Sequence, residues 1–317
     1  MKVLGITAGR KDSNSELLLK RALKSAEEAG HEVSFLRLHD YYIKPCVGCE
    51  ACTMLLSSGK PPKCKYGWDE DDIRYLMDRV QESHALILAA PAYHLMPPGY
   101  LTVLLNRIHS CGCDNHTGRK NEGDLSKVKV CATIGVGGSD WVSLLLPVLN
   151  FTATELIGSQ MNLVDQMEIH GIPAKGVVTL RNDAFERAAK LGEHVAKALS
   201  HLENPGYYGD IPETCPICHT NILVTRGHRV ACAFCDVEGD PVVEGGKMVG
   251  IKWDGGIEIS RWSRHGNRHH DDAMSDKVHI EPGKGYVWTD AQRARAKEVT
   301  DEWKDYLEPL QPPAREK

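Results

Sequence analysis

Apolar positions along the first two hundred residues follow two alternating rhythms. Lys2–Thr7 is a nearly unbroken apolar run and reads as a buried strand. After a polar loop, Glu16–Ala29 sets Leu17, Leu18, Ala22, Leu23 and Ala26 at helical spacing. Glu32–Leu38 predicts a second strand, and Asp69–Ser83 a helix with Ile73, Leu76, Met77 and Val80 on one side. His84–Ala90 is continuously apolar, as a strand covered on both faces would be. Leu101–Ile108 predicts a helix, Val128–Ile134 a fourth strand and Trp141–Ile157 another helix. Gln160–Gln166 predicts a fifth strand. Asn182–Leu202 predicts a closing helix, with Asp183 and Glu186 in its first turn. Strands alternating with helices in this way predict an α/β fold, a doubly wound five-stranded parallel sheet.

The rhythm breaks at Glu203-Asn204-Pro205-Gly206. Short strand-like pieces and turns follow. Met248–Trp253 and Gly256–Ser260 read as a hairpin around Asp254-Gly255, and Thr289–Leu307 as a terminal helix with a capping box from Thr289 and Gln292. We therefore expect one unit over residues 1–203. A small β unit with the terminal helix and tail is expected over residues 204–317.

Composition narrows the function. The 317 residues carry 38 Lys and Arg against 43 Asp and Glu, a formal net charge of -5. That balance disfavours nucleic acid as a general partner, because phosphate binding draws on an excess of cations. No run of about 18 apolar residues predicts a membrane span. The N-terminus leads straight into a strand without an export signal, so a cytoplasmic protein is expected. Eleven cysteines are then better explained by metals or redox chemistry than by disulfides.

The loop Thr7-Ala8-Gly9-Arg10-Lys11-Asp12-Ser13-Asn14-Ser15 joins the first strand to the first helix. It offers backbone N–H groups, hydroxyls and two cations at a helix N-terminus, a combination suited to a phosphate monoester. It also reads as an ordinary capped helix start, with Ser13 as N-cap and Glu16 three residues on. It lacks the glycine pattern of dinucleotide folds and the Gly-Lys-Ser/Thr end of a P-loop. Thr7, Arg10, Ser13, Asn14 and Ser15 fall in the slots of the phosphate loop of NADPH-dependent FMN reductases, which this sequence resembles. Pro91-Ala92-Tyr93-His94 resembles that family's loop along the flavin ring, and Asn106-Arg107 follows where the family usually has Asp-Arg. Gly135, Gly137, Gly138 and Ser139 resemble its glycine-rich loop at the pyrimidine edge. Over residues 1–200 the resemblance implies a flavodoxin-like fold and bound FMN. It also implies NAD(P)H as cosubstrate and a homodimer or homotetramer with the flavin near a subunit interface.

The cysteines fall into three groups. Cys46, Cys49 and Cys52 are spaced C-x2-C-x2-C, and Cys64 follows after eleven residues. Thiolates so spaced can converge on one cluster. The arrangement resembles iron–sulfur flavoproteins of the same superfamily, which implies a four-iron cluster and a ferredoxin or other redox partner. Those relatives have fewer residues before the fourth cysteine. Many reductases with the same triplet hold no stable cluster. Cys215-x2-Cys218 and Cys232-x2-Cys235, thirteen residues apart, predict a four-thiolate site in a zinc-ribbon-like unit. Structural zinc is the expected ion, and rubredoxin-type iron the alternative. Cys111, Cys113 and Cys131 lack a matching set, and Cys131 is read as an inert strand residue.

Arg226, His228 and Arg229, with the stretch Arg261, Arg264, His265, Arg268, His269 and His270, read as solvated surface. Tyr93, His94 and His109 are candidates for positions beside a flavin, and Arg107 for an ion pair. The expectation is an FMN-dependent oxidoreductase taking electrons from NAD(P)H or a ferredoxin-like donor. The alternatives are an electron carrier without a dedicated substrate and a noncatalytic sensor of FMN and zinc.

Overall fold

The computed structural model describes residues 1–58, 60–67, 69–111, 128–157, 162–211, 214–260, 280–281, 285–304 and 306. Cys113 and the basic stretch from Arg261 to His270 lie outside them.

The first unit is a five-stranded sheet in the order β2-β1-β3-β4-β5, every pair parallel. Its strands are β1 (Lys2–Thr7), β2 (Glu32–Arg37), β3 (Ala85–Pro91), β4 (Val130–Val136) and β5 (Leu163–Ile169). The strands alternate with α1 (Asn14–Glu28), α3 (Ile73–Glu82), α4 (Gly99–Leu105), α5 (Leu145–Ile157) and α6 (Asn182–Leu199); α2 (Ala51–Ser57) lies in the β2–α3 connection. Two cores explain the continuous apolar strands. Leu86, Leu88 and Ala90 of β3 face Ile73, Met77, Leu101 and Leu149. The intervening Ala85, Ile87 and Ala89 face Leu18, Ala22, Leu191 and Val195. Every second side chain thus buries against a different helical layer, which leaves no polar face to show a period of two.

Helices α1 and α6 pack closely because Gly192 has no side chain. A Cβ there would stand 2.1 Å from the Ala22 carbonyl oxygen. Helix α6 is also tied to β5, where buried Asp165 accepts from both Arg187 nitrogens at 2.9 and 2.6 Å and meets His194 Nδ1 at 2.7 Å.

Past Pro205 the chain runs along β5, and the Tyr208 N–H donates to the Val164 carbonyl at 2.8 Å. A separate antiparallel sheet follows in the order β6-β7-β8-β9. Its strands are β6 (Leu223–Arg226), β7 (Arg229–Cys232), β8 (Glu238–Glu244) and β9 (Lys247–Trp253). This corrects the expected hairpin. Met248–Trp253 pairs backwards with β8 through Gly245-Gly246, both at positive φ, and Ile257–Ile259 is a single 3-10 turn. The Gly-Gly pair supplies the left-handed conformations a tight hairpin needs; Asp254-Gly255 does not close one. A two-residue pair, β10 (Ile280–Glu281) with β11 (Gly285–Tyr286), precedes α7 (Asp290–Trp303), whose Thr289–Gln292 capping box is formed as expected. No helix among the described residues is long and apolar enough to cross a membrane.

Candidate active site and metal site

Three loops leave the carboxyl ends of β1, β3 and β4, which are adjacent in the sheet, so the topology gathers them at one edge. In the first loop, the Thr7 hydroxyl oxygen accepts from the Gly9 N–H at 3.0 Å. Ser13 caps α1, its Oγ accepting from the Glu16 N–H at 3.3 Å. The hydroxyls of Ser13 and Ser15 meet at 3.2 Å and are both buried. A Cβ on Gly9 would lie 2.3 Å from Ser13 Oγ and 2.4 Å from Ser15 Oγ, so the two hydroxyls are aimed at the space above that glycine. Of the first-turn donors, the N–H groups of Asn14 and Ser15 have no acceptor among the described residues. Arg10 and Lys11 are exposed beside them. Hydroxyls, free amides and cations around a cradle that only glycine leaves open fit a phosphate group.

Two details depart from the sequence reading. The Asn14 side chain is spent on the scaffold: Nδ2 donates to the Ala174 carbonyl at 2.8 Å, and Oδ1 accepts from the Val178 N–H at 3.2 Å. Only its backbone faces the cradle. Glu16 does not close a capping box. It is fully buried and accepts from Arg37 at 2.7 and 3.1 Å and from Lys20 at 2.7 Å. Burial alone would raise its pKa, but the hydrogen bonds from Arg37 and Lys20 prevail and hold it at about 2.

In the second loop, Ala92 N–H donates to the Val136 carbonyl at 2.8 Å, which ties the β3 exit to β4. Tyr93 and Met96 then bond to each other's backbones around His94 and Leu95, at φ 52° and 73°. This is a tight turn of the kind glycine and asparagine favour, occupied here by His and Leu. Such strain concentrates at ligand sites. Tyr93, Leu95 and Met96 are all exposed at its tip. Exposed Tyr93 also lines a neighbouring cavity of about 470 Å³ between the β2 exit and α4.

In the third loop, Gly135 admits Leu145, whose Cδ2 would be 2.8 Å from a Cβ, and Gly137 admits Val142 at 2.3 Å. The Gly137 N–H donates to the Ile169 carbonyl at 2.7 Å. The N–H groups of Gly138 and Ser139 have no acceptor among the described residues, and both residues are exposed.

Cys46 and Cys49 are exposed, while Cys52 and Cys64 are half-buried around α2. Behind them, the buried guanidinium of Arg107 donates to Asp71 at 2.8 Å and to the Lys44 carbonyl at 2.6 Å, the ion pair expected for it. Cys131 is wholly buried, and burial pushes its thiol pKa well up, which makes it inert.

Cys215, Cys218, Cys232 and Cys235 form the one group among the described residues whose metal-ligating atoms all lie within 4.8 Å of one another, and all four are buried. Each knuckle is built alike. His219 N–H returns to the Cys215 carbonyl and Asp236 N–H to the Cys232 carbonyl, both at 3.0 Å. His219 and Asp236 both take positive φ, and Cys235 N–H donates to Cys232 Sγ at 3.3 Å. Cys218 and Cys232 Sγ stand 3.5 Å apart. Sulfurs at about 2.3 Å from a tetrahedral ion would be roughly 3.8 Å apart, so the group fits one ion.

A buried chain of side chains connects this site to the sheet. Thr133 Oγ1 on β4 donates to Asn150 Oδ1 at 2.6 Å, and Asn150 Nδ2 to Gln166 Oε1 at 2.7 Å. Gln166 Nε2 then donates to Tyr207 Oη at 2.6 Å and to the His219 carbonyl at 2.7 Å. His219 stacks on Tyr207, ring centroids 3.6 Å apart, and burial lowers its pKa to about 4. No sequence motif points to this chain. Arg226 and Arg229 are spent on carboxylates, Arg226 on Asp236 and Glu238 and Arg229 on Glu238, Asp240 and Asp254, in keeping with a solvated surface.

The sequence model of the NADPH-dependent FMN reductases matches residues 1–161. The chain belongs to this family. A flavone synthase of Aspergillus candidus, cfoJ, is 26% identical over 290 residues, covering 82% of this chain and 81% of that one. An iron-sulfur flavoprotein of Archaeoglobus fulgidus is 27% identical over 203 residues, 63% of this chain and 92% of the relative. A solved flavone reductase superimposes with a TM-score of 0.71 at 19% identity, covering 98% of this chain and 100% of that one. The likeness of fold therefore extends through the second sheet. As a family member the protein is a flavoprotein of the FMN-dependent reductases, and the cradle at Gly9 fits the phosphate of that cofactor.

Proposed function

We propose that this protein is an NAD(P)H-dependent FMN oxidoreductase that passes electrons to a small organic acceptor. The observation that carries the reading is the open cradle over Gly9, with two buried hydroxyls aimed into it, free amides of its own at Asn14 and Ser15, and further free amides at Gly138 and Ser139 in the glycine loop. In this reading Thr7, Ser13 and Ser15 hold the phosphate by hydroxyl groups, Asn14 by its N–H, and Arg10 by charge. Pro91, Ala92, Tyr93 and His94 flank the ring. Gly138 and Ser139 offer N–H groups to its polar edge, while Gly135 and Gly137 let the loop pack close behind. FMN would supply hydride and single-electron chemistry, and the protein supplies binding, orientation and electrostatics. The family and a relative named as a flavone synthase support an organic acceptor.

The division near residues 203 and 204, a cytoplasmic setting and a homodimer or homotetramer belong to the same reading. Zinc is the ion proposed for Cys215, Cys218, Cys232 and Cys235, since a closed four-thiolate site leaves no position for substrate. Rapid mixing of the purified yellow protein with NADPH or NADH tests the central claim. Bleaching of the flavin band supports it. Reduction by ferredoxin alone would make the protein an electron carrier.

A second reading adds a four-iron cluster on Cys46, Cys49, Cys52 and Cys64. It is favoured by the relatives named as iron-sulfur flavoproteins and by the solvent-facing thiols of Cys46 and Cys49. Iron analysis after anaerobic purification tests it, and iron-free protein with four titratable thiols at these positions would rule it out.

A further inference from the structure

The cavity beside the ring loop is built differently from the phosphate cradle. One wall comes from the β2 exit through Tyr41, Tyr42 and Ile43, and the other from Tyr93, Pro98 and Tyr100. None of its lining residues carries a formal charge. A pyrophosphate, a nucleotide phosphate or a carboxylate would find no cation there. Its volume, about 470 Å³, lies within the ordinary range for small-ligand sites. Four of the lining residues are tyrosines, set among Leu38, Ile43, Pro98 and Val103, and Tyr42, Tyr93 and Tyr100 are exposed. Exposed aromatic groups in a concave site are the usual platform for a planar ligand.

One lining residue, Tyr100, belongs to an oriented polar pair with His39, which stands behind it. Tyr100 Oη is hydrogen-bonded to His39 Nε2, and the two rings meet edge to face with centroids 4.4 Å apart. When His39 carries its proton on Nε2, it donates to the phenol oxygen. The Tyr100 O–H is then free to donate to a ligand. Burial, with a smaller contribution from Tyr93, raises the Tyr100 pKa, so the phenol keeps its hydrogen at neutral pH.

We propose that this cavity is the acceptor subsite, which takes a neutral planar aromatic of two or three rings and receives its carbonyl oxygen on the Tyr100 hydroxyl. His39 is a positioning residue that fixes the direction of that hydroxyl. The inference rests on the flavin reading, because Tyr93 belongs to both the cavity and the ring loop.

Chromone, a neutral bicyclic carbonyl compound, is the test probe, and naphthalene is the same shape without the oxygens. Equilibrium dialysis against the purified protein, with FMN content measured on the same sample, reads binding independently of turnover. Tyr100→Phe should weaken chromone roughly threefold to tenfold, the effect of one hydrogen bond, and leave naphthalene unchanged. Tyr42→Ala should weaken both ligands. Chromone should perturb the visible flavin band of the wild-type protein. Melting temperature and FMN content of the variants show that they are folded. FMN-loaded protein that binds no chromone, binds it equally in all variants, or binds it without a change in the flavin band overturns the subsite alone. Protein that binds chromone with the expected variant pattern but takes up no FMN overturns the flavin reading and leaves the cavity as an aromatic site.

Discussion

At Gly9 a single missing carbon keeps the phosphate cradle open. Gly9→Val would push a side chain between the Ser13 and Ser15 hydroxyls, where a Cβ alone has 2.3 and 2.4 Å of room. We expect FMN affinity to fall by at least roughly 100-fold, about 2.7 kcal/mol, with the circular dichroism unchanged. Quenching of flavin fluorescence on titration measures it. Glu16 gives a second expectation at this scale. Its folded pKa, about 2, lies below its ordinary value, so ionised Glu16 stabilises the fold above about pH 4.5. That contribution disappears as the pH falls through about 2. Glu16→Gln leaves Arg37 at the end of β2 with Asp40 as its one carboxylate and removes the charge that Lys20 also meets, and it should cost about 3 kcal/mol at pH 7. In urea melts the gap between variant and wild type should narrow steadily from pH 4.5 towards pH 2; a gap independent of pH would contradict the assignment. Ser13 was legible as a cap because a cap is local. The partner of Glu16 was not, because Arg37 lies on the next strand. The His39–Tyr100 pair, 61 residues apart in sequence, exists only once the sheet has brought β2 and α4 together.

At the scale of elements, the β–α alternation was legible because each strand is short, apolar and bounded by polar loops. Boundaries were less so. The helix expected from Trp141 begins at Leu145, since Val142 first tucks beneath Gly137. The hairpin was misplaced because two glycine-bearing turns stand ten residues apart and only pairing with β8 decides between them. The contact of α1 with α6 gives an element-scale expectation. Gly192→Val meets a backbone carbonyl, which cannot swing aside like a side chain end. It should destabilise the protein by about 1–3 kcal/mol and loosen the phosphate loop that α1 carries. Faster hydrogen exchange in α1 and α6, with β4 unaffected, is the expected signature.

For the molecule as a whole, the cysteines among the described residues separate by burial. Four sit buried and close together at the second sheet, while Cys46 and Cys49 are exposed and Cys52 and Cys64 half-buried. The spacing of the last four was enough to find their site, because two equal knuckles determine their own geometry. The docking of that site on the sheet was not readable, since Thr133, Asn150 and Gln166 look like ordinary polar residues in apolar segments. Gln166→Leu would leave Asn150 Nδ2 without its acceptor, and Tyr207 Oη and the His219 carbonyl without the Gln166 donor, and should cost about 2–4 kcal/mol. Stripping the metal with a thiol reagent should lower the melting temperature of the flavin unit as well as that of the second sheet. Two independent calorimetric transitions, only one of them sensitive to metal, would contradict this coupling.

The amide chain from Thr133 to His219 bears on heredity and engineering alike. A recombination breakpoint between the two sheets would give the recipient a flavin unit with an orphaned glutamine and give the donor fragment an uncovered knuckle. Exchanges that carry Thr133, Asn150, Gln166 and Tyr207 along with the cysteines would keep the chain intact. The second sheet is therefore expected to descend with its own sheet partner as one inherited block, and a working graft onto another flavodoxin-like scaffold would begin by transplanting those four side chains.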